Sequence, residues 1–250
     1  MFRHQGKSRT YTHNLKLASL LSFVAGAVNA IGFLTVQVLT TNVTGHFAFL
    51  VEEVFYLNFD RAFTFFCYVI FFFLGSFFSG FISEFIHRKG SERYIYIIPA
   101  SVEVIILFTL AIWGPEWKIP HPAFIAFSLL FAMGLQNALV TMISGSIVRT
   151  THLTGLFTDL GIELSQLFFY RSKIHKIKLK SSIRLRLSII FFFFLGGIAG
   201  GFGYEFLKIK ALFIIGTVLL AGLIYDWVKF RVLKLTEKLK FVAVKFPGNH

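Results

Sequence analysis

Apolar residues in this chain are grouped into six long runs separated by short polar segments. The runs lie near 15–38, 62–86, 94–113, 123–148, 187–207 and 211–228. Each run is long enough, or nearly so, to cross a hydrocarbon core of roughly 30 Å at about 1.5 Å per residue. Such a run must be helical in lipid, because every backbone donor needs an acceptor within its own segment. The pattern predicts an all-α, polytopic membrane protein with about six transmembrane helices.

The polar segments between the runs are rich in helix-breaking and charged residues. They read "HRKGSER" at 87–93, "GPEWKIPHP" at 114–122 and "RSKIHKIKLKSSIRLR" at 171–186. The last segment is interpreted as a solvated loop, and an amphipathic helix lying on anionic lipid is the alternative.

One polar segment occurs twice. "TTNVTGHFAFLVEE" at 40–53 and "TTHLTGLFTDLGIE" at 150–163 share seven of fourteen positions. Unrelated segments would share about one, so the match indicates an internal repeat.

Two further pairs of segments match in the same order along the chain. "GAVNA" at 26–30 matches "GLQNA" at 134–138, and "FFFLGSFFSGFISEF" at 71–85 matches "FFFLGGIAGGFGYEF" at 192–206. The glycines shared by the longer pair are interpreted as helix-packing surfaces: Gly75, Gly80, Gly196 and Gly201. The chain is therefore divided into a basic N-terminus at 1–14, a first membrane repeat at 15–113, a second at 123–230 and a basic tail at 231–250.

Each repeat contains three of the predicted spans, which is an odd number. The second repeat is therefore expected to enter the membrane inverted relative to the first. The pieces at 44–57 and 154–170 are too short and too acidic to cross easily, so we expect half-helices that are re-entrant or packed within the protein. Thr44 and Thr154 would begin them, with the hydroxyl capping free N–H groups and the following glycine permitting a sharp turn.

Lysine and arginine counts distinguish this topology from a rival one. With six spans, 21 of the 25 basic residues fall on the side of the N-terminus and 4 on the other, a strong positive-inside signal. If both short pieces also cross, there are eight spans in parallel repeats and the split becomes 19 to 6. That topology would also place acidic side chains in lipid at a cost of a few kcal/mol each.

Composition supports a bilayer environment. The chain is 56% hydrophobic and 18% aromatic, with only 15% charged residues, and a soluble domain of 250 residues could not bury that much apolar surface.

Cys67 is the only cysteine, so an intrachain disulfide is excluded. No cleavable signal is recognised at the start. The net charge of +13 is attributed to basic residues retained in the cytoplasm, so no nucleic-acid partner is expected.

The segments "AGAVNAIGF" at 25–33 and "TTNVTGHF" at 40–47 resemble a known family. They are similar to those of the YoaK-like bacterial multi-pass membrane proteins, whose function is unknown, and the resemblance extends over about 15–230. Many such proteins have Asn after the Thr-Gly pair, where this chain has His46 and Leu156. The resemblance implies a bacterial plasma (inner) membrane location, with both termini placed in the cytoplasm by the charge count. It supplies no substrate or catalytic residue.

The candidate site residues are the polar and glycine positions inside or beside the spans. Glu103 lies near the middle of the third span, where a carboxyl must face the interior, either protonated or paired. The others occur as matched pairs from the two repeats: Thr44 and Thr154, Gly45 and Gly155, Asn29 and Asn137, Glu53 and Glu163. The asparagines are equally explained as hydrogen bonds between helices, and the paired glutamates as side chains at the membrane interface.

No metal-ligand spacing or catalytic motif is present, so neither a cofactor nor an enzyme is expected. The leading hypothesis is a transporter or channel for a small solute or ion, with coupling to protons through Glu103. A non-transporting membrane scaffold or accessory protein is the alternative, and an intramembrane enzyme is the third hypothesis. The expected partners are the lipid bilayer and an unknown small solute or ion, and assembly into a homo-oligomer stays open.

Overall fold

The structure is a computed structural model that describes residues 10–89, 95–170 and 172–245, with the backbone alone for 230–245. The described residues form helices and turns, without strands. The helices are α1 (Tyr11–Val36), α2 (Val43–Phe55), α3 (Phe59–Arg88), α4 (Ile97–Trp117), α5 (Pro122–Ser144), α6 (Leu153–Phe169), α7 (Lys173–Leu207) and α8 (Ala211–Lys245). The predicted all-α class is confirmed.

Five helical stretches among the described residues are long and apolar enough to cross a membrane. They are Tyr11–Val36, Phe59–Arg88, Ile97–Trp117, Pro122–Ser144 and Lys173–Lys229. The last stretch is 57 residues long and contains the predicted spans 187–207 and 211–228. A 3-10 turn at Lys208–Lys210 separates those two spans, and Lys208 has a positive φ of 52°.

The segment 171–186 differs from the predicted loop. From Lys173 onward it is the first part of α7, which is one continuous helix of 35 residues. It contains neither Gly nor Pro, and Ile183 and Leu185 are buried against the rest of the protein. Good helix formers and an apolar contact therefore extend the helix beyond the apolar run.

The centre of the molecule is built from α1 and α5. In each of these helices, 61% of the most apolar 18-residue stretch is buried inside the protein, whereas the corresponding share in α3 is 17%. The outer face of α3 carries a row of exposed phenylalanines one turn apart, Phe73, Phe77 and Phe81, with neighbouring rings about 6 Å apart. Such a face suits contact with lipid tails, and the polar residues are left to the interior.

Two glycine contacts join long helices that are far apart in sequence. A Cβ on Gly26 or Gly196 would collide with the main-chain carbonyl of Phe193 or Phe23, so α1 and α7 touch backbone to backbone. In the same way, Gly75 and Gly134 lie against the carbonyls of Phe131 and Phe72, which joins α3 to α5. Among the described residues, no neighbouring helix comes within 4 Å of a Cβ built on Gly80 or Gly201, so the packing interpretation of these two was wrong.

The contacts also give the directions of the helices. α7 runs alongside α1 in the same direction. Gly196 lies next to Phe23, and Gly200, one turn further along α7, lies next to Ala27, one turn further along α1. α8 runs back, because Gly222 lies again at the level of Leu20.

The sense of α5 is set by two contacts with α1. Gln136 donates to the carbonyl of Leu21 at 2.9 Å, and Leu129 lies beside Gly32, so α5 is antiparallel to α1. The two central helices, α1 and α5, therefore run through the protein interior in opposite directions.

Candidate functional site

The chain turns back into the molecule after α1. Gln37 adopts the left-handed conformation with φ 58° and ends the helix. The segment 38–42 then folds against α1, where Asn29 Oδ1 accepts hydrogen bonds from the Thr41 N–H at 3.2 Å and the Thr41 hydroxyl at 3.0 Å. The first half-helix, α2, thus begins deep beside α1 and leads outward to α3. We call residues 37–42 the first break.

The same arrangement follows α5. Gly145 and Ser146 have positive φ angles of 62° and 65° and reverse the chain. Thr151 then donates its hydroxyl to Asn137 Oδ1 at 3.1 Å, and α6 begins at Leu153. We call residues 145–152 the second break. The short helices α2 and α6 lie where the repeated motif predicts them. Each begins one residue before the predicted start, at Val43 and Leu153.

The cap at the start of α2 differs from the predicted one. The Oδ1 atom of Asn42 accepts from the Gly45 N–H at 3.0 Å, so the capping side chain is Asn42 rather than Thr44. Asn is among the strongest N-cap residues, and Thr44 already lies inside the first turn. His152 occupies the matching position before α6 and makes no side-chain cap. The first N–H groups of α6 are therefore left without a side-chain acceptor.

Both breaks line one cavity of about 940 Å³, which we call the central cavity. Of the predicted site residues, the structure brings together Asn29, Thr44, Gly45, Asn137 and Thr154 around it. The lining also includes Phe72 and Phe193, two of the four phenylalanines whose carbonyls meet glycines of neighbouring helices. The starts of both half-helices thus face a single space.

The two breaks also match in exposure. Each residue from Thr41 to Phe49 is buried, partly buried or exposed in the same way as the residue that aligns with it between Thr151 and Asp159. The preceding pair, Thr40 and Thr150, is fully buried in both copies. Identical residues at these positions therefore occupy equivalent environments.

Four of the predicted residues lie elsewhere. Gly155 borders a second, smaller cavity beside the central one. Glu53 accepts from Asn58 at 3.0 Å and lies 3.7 Å from Arg61, and Glu163 accepts from Ser182 at 2.6 Å and from Arg186 at 2.9 Å. Both glutamates thus tie the far end of a half-helix to the beginning of the next long helix.

Glu103 is the fourth of these residues and does not line the central cavity. It belongs to the buried stripe of α4, with Ala100, Val104 and Leu107, and is 0% exposed. Neither of its carboxyl oxygens has a hydrogen-bond partner among the described residues. An ionised carboxylate in that position would be very expensive.

Sequence reasoning missed several residues of the central cavity. Thr41 and Thr151 belong to the repeated motif and could have been found from their identity. Asn42, Arg149 and His152 differ between the copies and gave no repeat signal. Arg149 is the one charged side chain among the described lining residues, so the cavity has a positive character.

The described part of the chain contains no cluster of His, Cys, Asp or Glu suited to a metal ion. The cavity contains hydroxyls, amides, a guanidinium and an imidazole. These groups can bind a polar solute, and no hydroxyl that lines the cavity is hydrogen-bonded to a histidine or a carboxylate among the described residues.

Comparisons with known proteins give a family and no function. No curated protein matches the chain, and no solved structure matches it. Residues 17–225 match the family described as "Protein of unknown function (DUF1275)", and the match covers every described residue that lines the central cavity. The chain therefore belongs to this uncharacterised family, DUF1275, and its long apolar helices suit a membrane protein.

Proposed function

We propose that this protein is a transporter or channel for a small anionic solute, and that the central cavity is its binding site. The observation that carries the proposal is that the starts of two half-helices, one from each half of the chain, line the same polar cavity. Broken helices whose ends meet near the middle of a bundle are the usual site architecture of secondary transporters.

The polar groups of the cavity favour a solute with negative or acceptor atoms. Asn29, Asn42 and Asn137 each use Oδ1 as a hydrogen-bond acceptor within the protein, and no described hydrogen bond uses their Nδ2 donors. Helix N-termini add partial positive charge and free N–H groups. None of the described lining residues is acidic. Donors and positive charge without a carboxylate are typical of anion binding.

The proposed architecture is six membrane crossings in two inverted three-helix repeats, each with one half-helix. The matched glycine contacts of α1 with α7 and α3 with α5 support it, as do the equal exposure patterns of the two breaks. The reversal at Lys208–Lys210 supports separate crossings by α7 and α8. Within the family, we also propose the narrower YoaK-like assignment, a bacterial inner-membrane location and cytoplasmic termini.

Glu103 is the proposed group for coupling to protons. Its complete burial without a hydrogen-bond partner is costly, and such carboxyls in membrane helices commonly serve a function. Because it lies outside the central cavity, it would act on the helix packing around α4 rather than on the solute directly.

The test is an anion-flux assay on protein reconstituted in liposomes. We expect flux above that of empty liposomes, and a several-fold loss in Thr154→Val, which keeps the shape but removes a cavity hydroxyl. Thr158→Val is the matched control, since Thr158 lies one turn further along α6 and bonds its own helix at Thr154 O. Glu103→Gln should retain folding and lose any dependence on a proton gradient.

A wild-type protein that moves no anion or neutral polar solute would favour the scaffold hypothesis. Equal fluxes through Thr154→Val and Thr158→Val would show that the solute does not use the central cavity.

A further inference from the structure

A second cavity of about 500 Å³ adjoins the central one, and we call it the side cavity. Arg149 and His152 line both cavities. The side cavity has four other polar lining residues: Ser146 lies in the second break, and Asp159, Ser182 and Arg186 come from α6 and from the part of α7 that extends beyond the apolar run. The side cavity thus lies between the second break and the end of the molecule at which α6 joins α7.

An ion-pair cluster forms the wall between α6 and α7. Arg186 contacts Asp159 at 2.9 Å and Glu163 at 2.9 Å, and Ser182 donates to Glu163 at 2.6 Å. These groups are partly exposed, with Asp159 at 50% and Arg186 at 21% of their side-chain surface. Arg186 is shared by the two carboxylates of this cluster, whereas Arg149 makes no ion pair with the described residues of this region.

The matching wall in the first half of the chain is apolar. The register of the repeated motif aligns Phe49 with Asp159, and the register of Gly75 with Gly196 aligns Phe65 with Arg186. Phe49 and Phe65 stack with ring centroids 5.2 Å apart. Tyr68 and His46 pack against the same Phe65 ring at 5.7 and 6.3 Å. Where one half has an ion pair beside a cavity, the other has a cluster of packed rings.

We propose that the side cavity is the aqueous access route and a second binding point for the solute, and that the Phe49–Phe65 rings close the equivalent route in the other half. The inference rests on the proposed function of the central cavity. Water and a hydrated anion need polar groups along their path, which the α6/α7 wall offers and stacked rings do not. Arg149, which lies with His152 at the junction of the two cavities, would attract the anion from one to the other.

Thiol labelling tests this route without any knowledge of the solute. Thr44→Cys, in a Cys67→Ala background, places one reactive thiol in the central cavity. We expect an impermeant sulfonated methanethiosulfonate to react at least about ten times faster from the face that carries Tyr170 than from the face that carries Tyr56. A cationic analogue of the reagent should react more slowly by the same route, because the guanidinium of Arg149 repels it.

Two further variants test the ring closure. Phe65→Ala should raise the rate at which the Thr44→Cys thiol is labelled from the Tyr56 face. The substitution removes the ring that Phe49, Tyr68 and His46 contact. Phe66→Ala is the matched control, since its ring is exposed on the outer surface of α3 and makes no described contact with Phe49. Monodisperse elution in detergent shows that each variant is folded.

Equal rates from both faces, a faster rate from the Tyr56 face, or no labelling from either face would overturn the proposal. So would a Phe65→Ala protein that labels like Phe66→Ala. These outcomes concern access alone, so they are separable from a failure of the flux assay. Polarised labelling without flux would leave the route standing and remove the transport function.

Discussion

At the scale of single residues, Asn29 and Asn137 hold the two breaks against the central helices. Asn29 Oδ1 accepts two hydrogen bonds from Thr41, and Asn137 Oδ1 accepts one from Thr151. Each bond connects an irregular backbone segment to a central helix, which provides an acceptor that such a segment would otherwise lack inside a membrane protein. The asparagines therefore position the half-helices as well as line the cavity.

The unequal number of bonds leads to a prediction. Asn29→Ala leaves the Thr41 N–H and hydroxyl without an acceptor, at a cost of about 1–3 kcal/mol, and Asn137→Ala should cost less. Thermal unfolding in detergent measures both. Asn58→Ala, at an exposed position where the side chain bonds Glu53, serves as control and should change stability by about 0.5 kcal/mol or less. A greater loss from Asn137→Ala than from Asn29→Ala would contradict this assignment.

At the scale of helices, close backbone contact depends on particular glycines. Gly75 lies against the carbonyl of Phe131 on α5, whereas Gly80, on the same helix, has open space where a side chain would be. Small residues at a contact let membrane helices approach and pack, and the same residue elsewhere on the helix has no such effect.

These neighbours on α3 make a matched pair for mutation. Gly75→Ala should destabilise the protein by about 1–3 kcal/mol, since the methyl group forces α3 away from α5. Gly80→Ala should be neutral or slightly stabilising, because alanine favours the helix and meets nothing. The measurement is the midpoint of thermal unfolding for both variants, and similar midpoints would refute the described α3–α5 contact.

The sequence predicted the positions of both half-helices for a physical reason. A Thr- and Gly-rich segment with acidic residues cannot cross lipid easily, and its repetition marked the same place in both halves. The cap at Asn42, the ion pairs of Glu163 and the aromatic filling around Phe65 could not be predicted, because each depends on which side chains of a distant helix lie opposite.

The extension of α7 through 173–186 was missed for a related reason. Its charges resembled those of a loop, whereas its helix is held by Ser182 and Arg186 bonding to α6. Such contacts appear only when the distant segment is in place.

At the scale of the whole molecule, the number of crossings remains a prediction. With six, single cysteines in a Cys67→Ala background should react with an impermeant reagent on intact cells at His121, which lies in the 114–122 loop. They should not react at Lys89, which directly follows α3; both positions are exposed in the structure. Membrane vesicles of inverted orientation should give the opposite result. Surface labelling of Lys89→Cys on intact cells would support eight crossings and exclude inverted repeats.

The exchange of helix partners between the halves has a consequence for how such a chain could arise. α1 lies backbone to backbone against α7, and α3 lies in the same way against α5, so each half of the chain packs against the other. A polypeptide of half this length would leave both glycine surfaces unmatched. Under the proposed inverted-repeat architecture, a second copy inserted in the opposite sense would restore them. On the same architecture, we infer an ancestor of half this length that worked as a dimer of oppositely inserted copies, later joined into one chain.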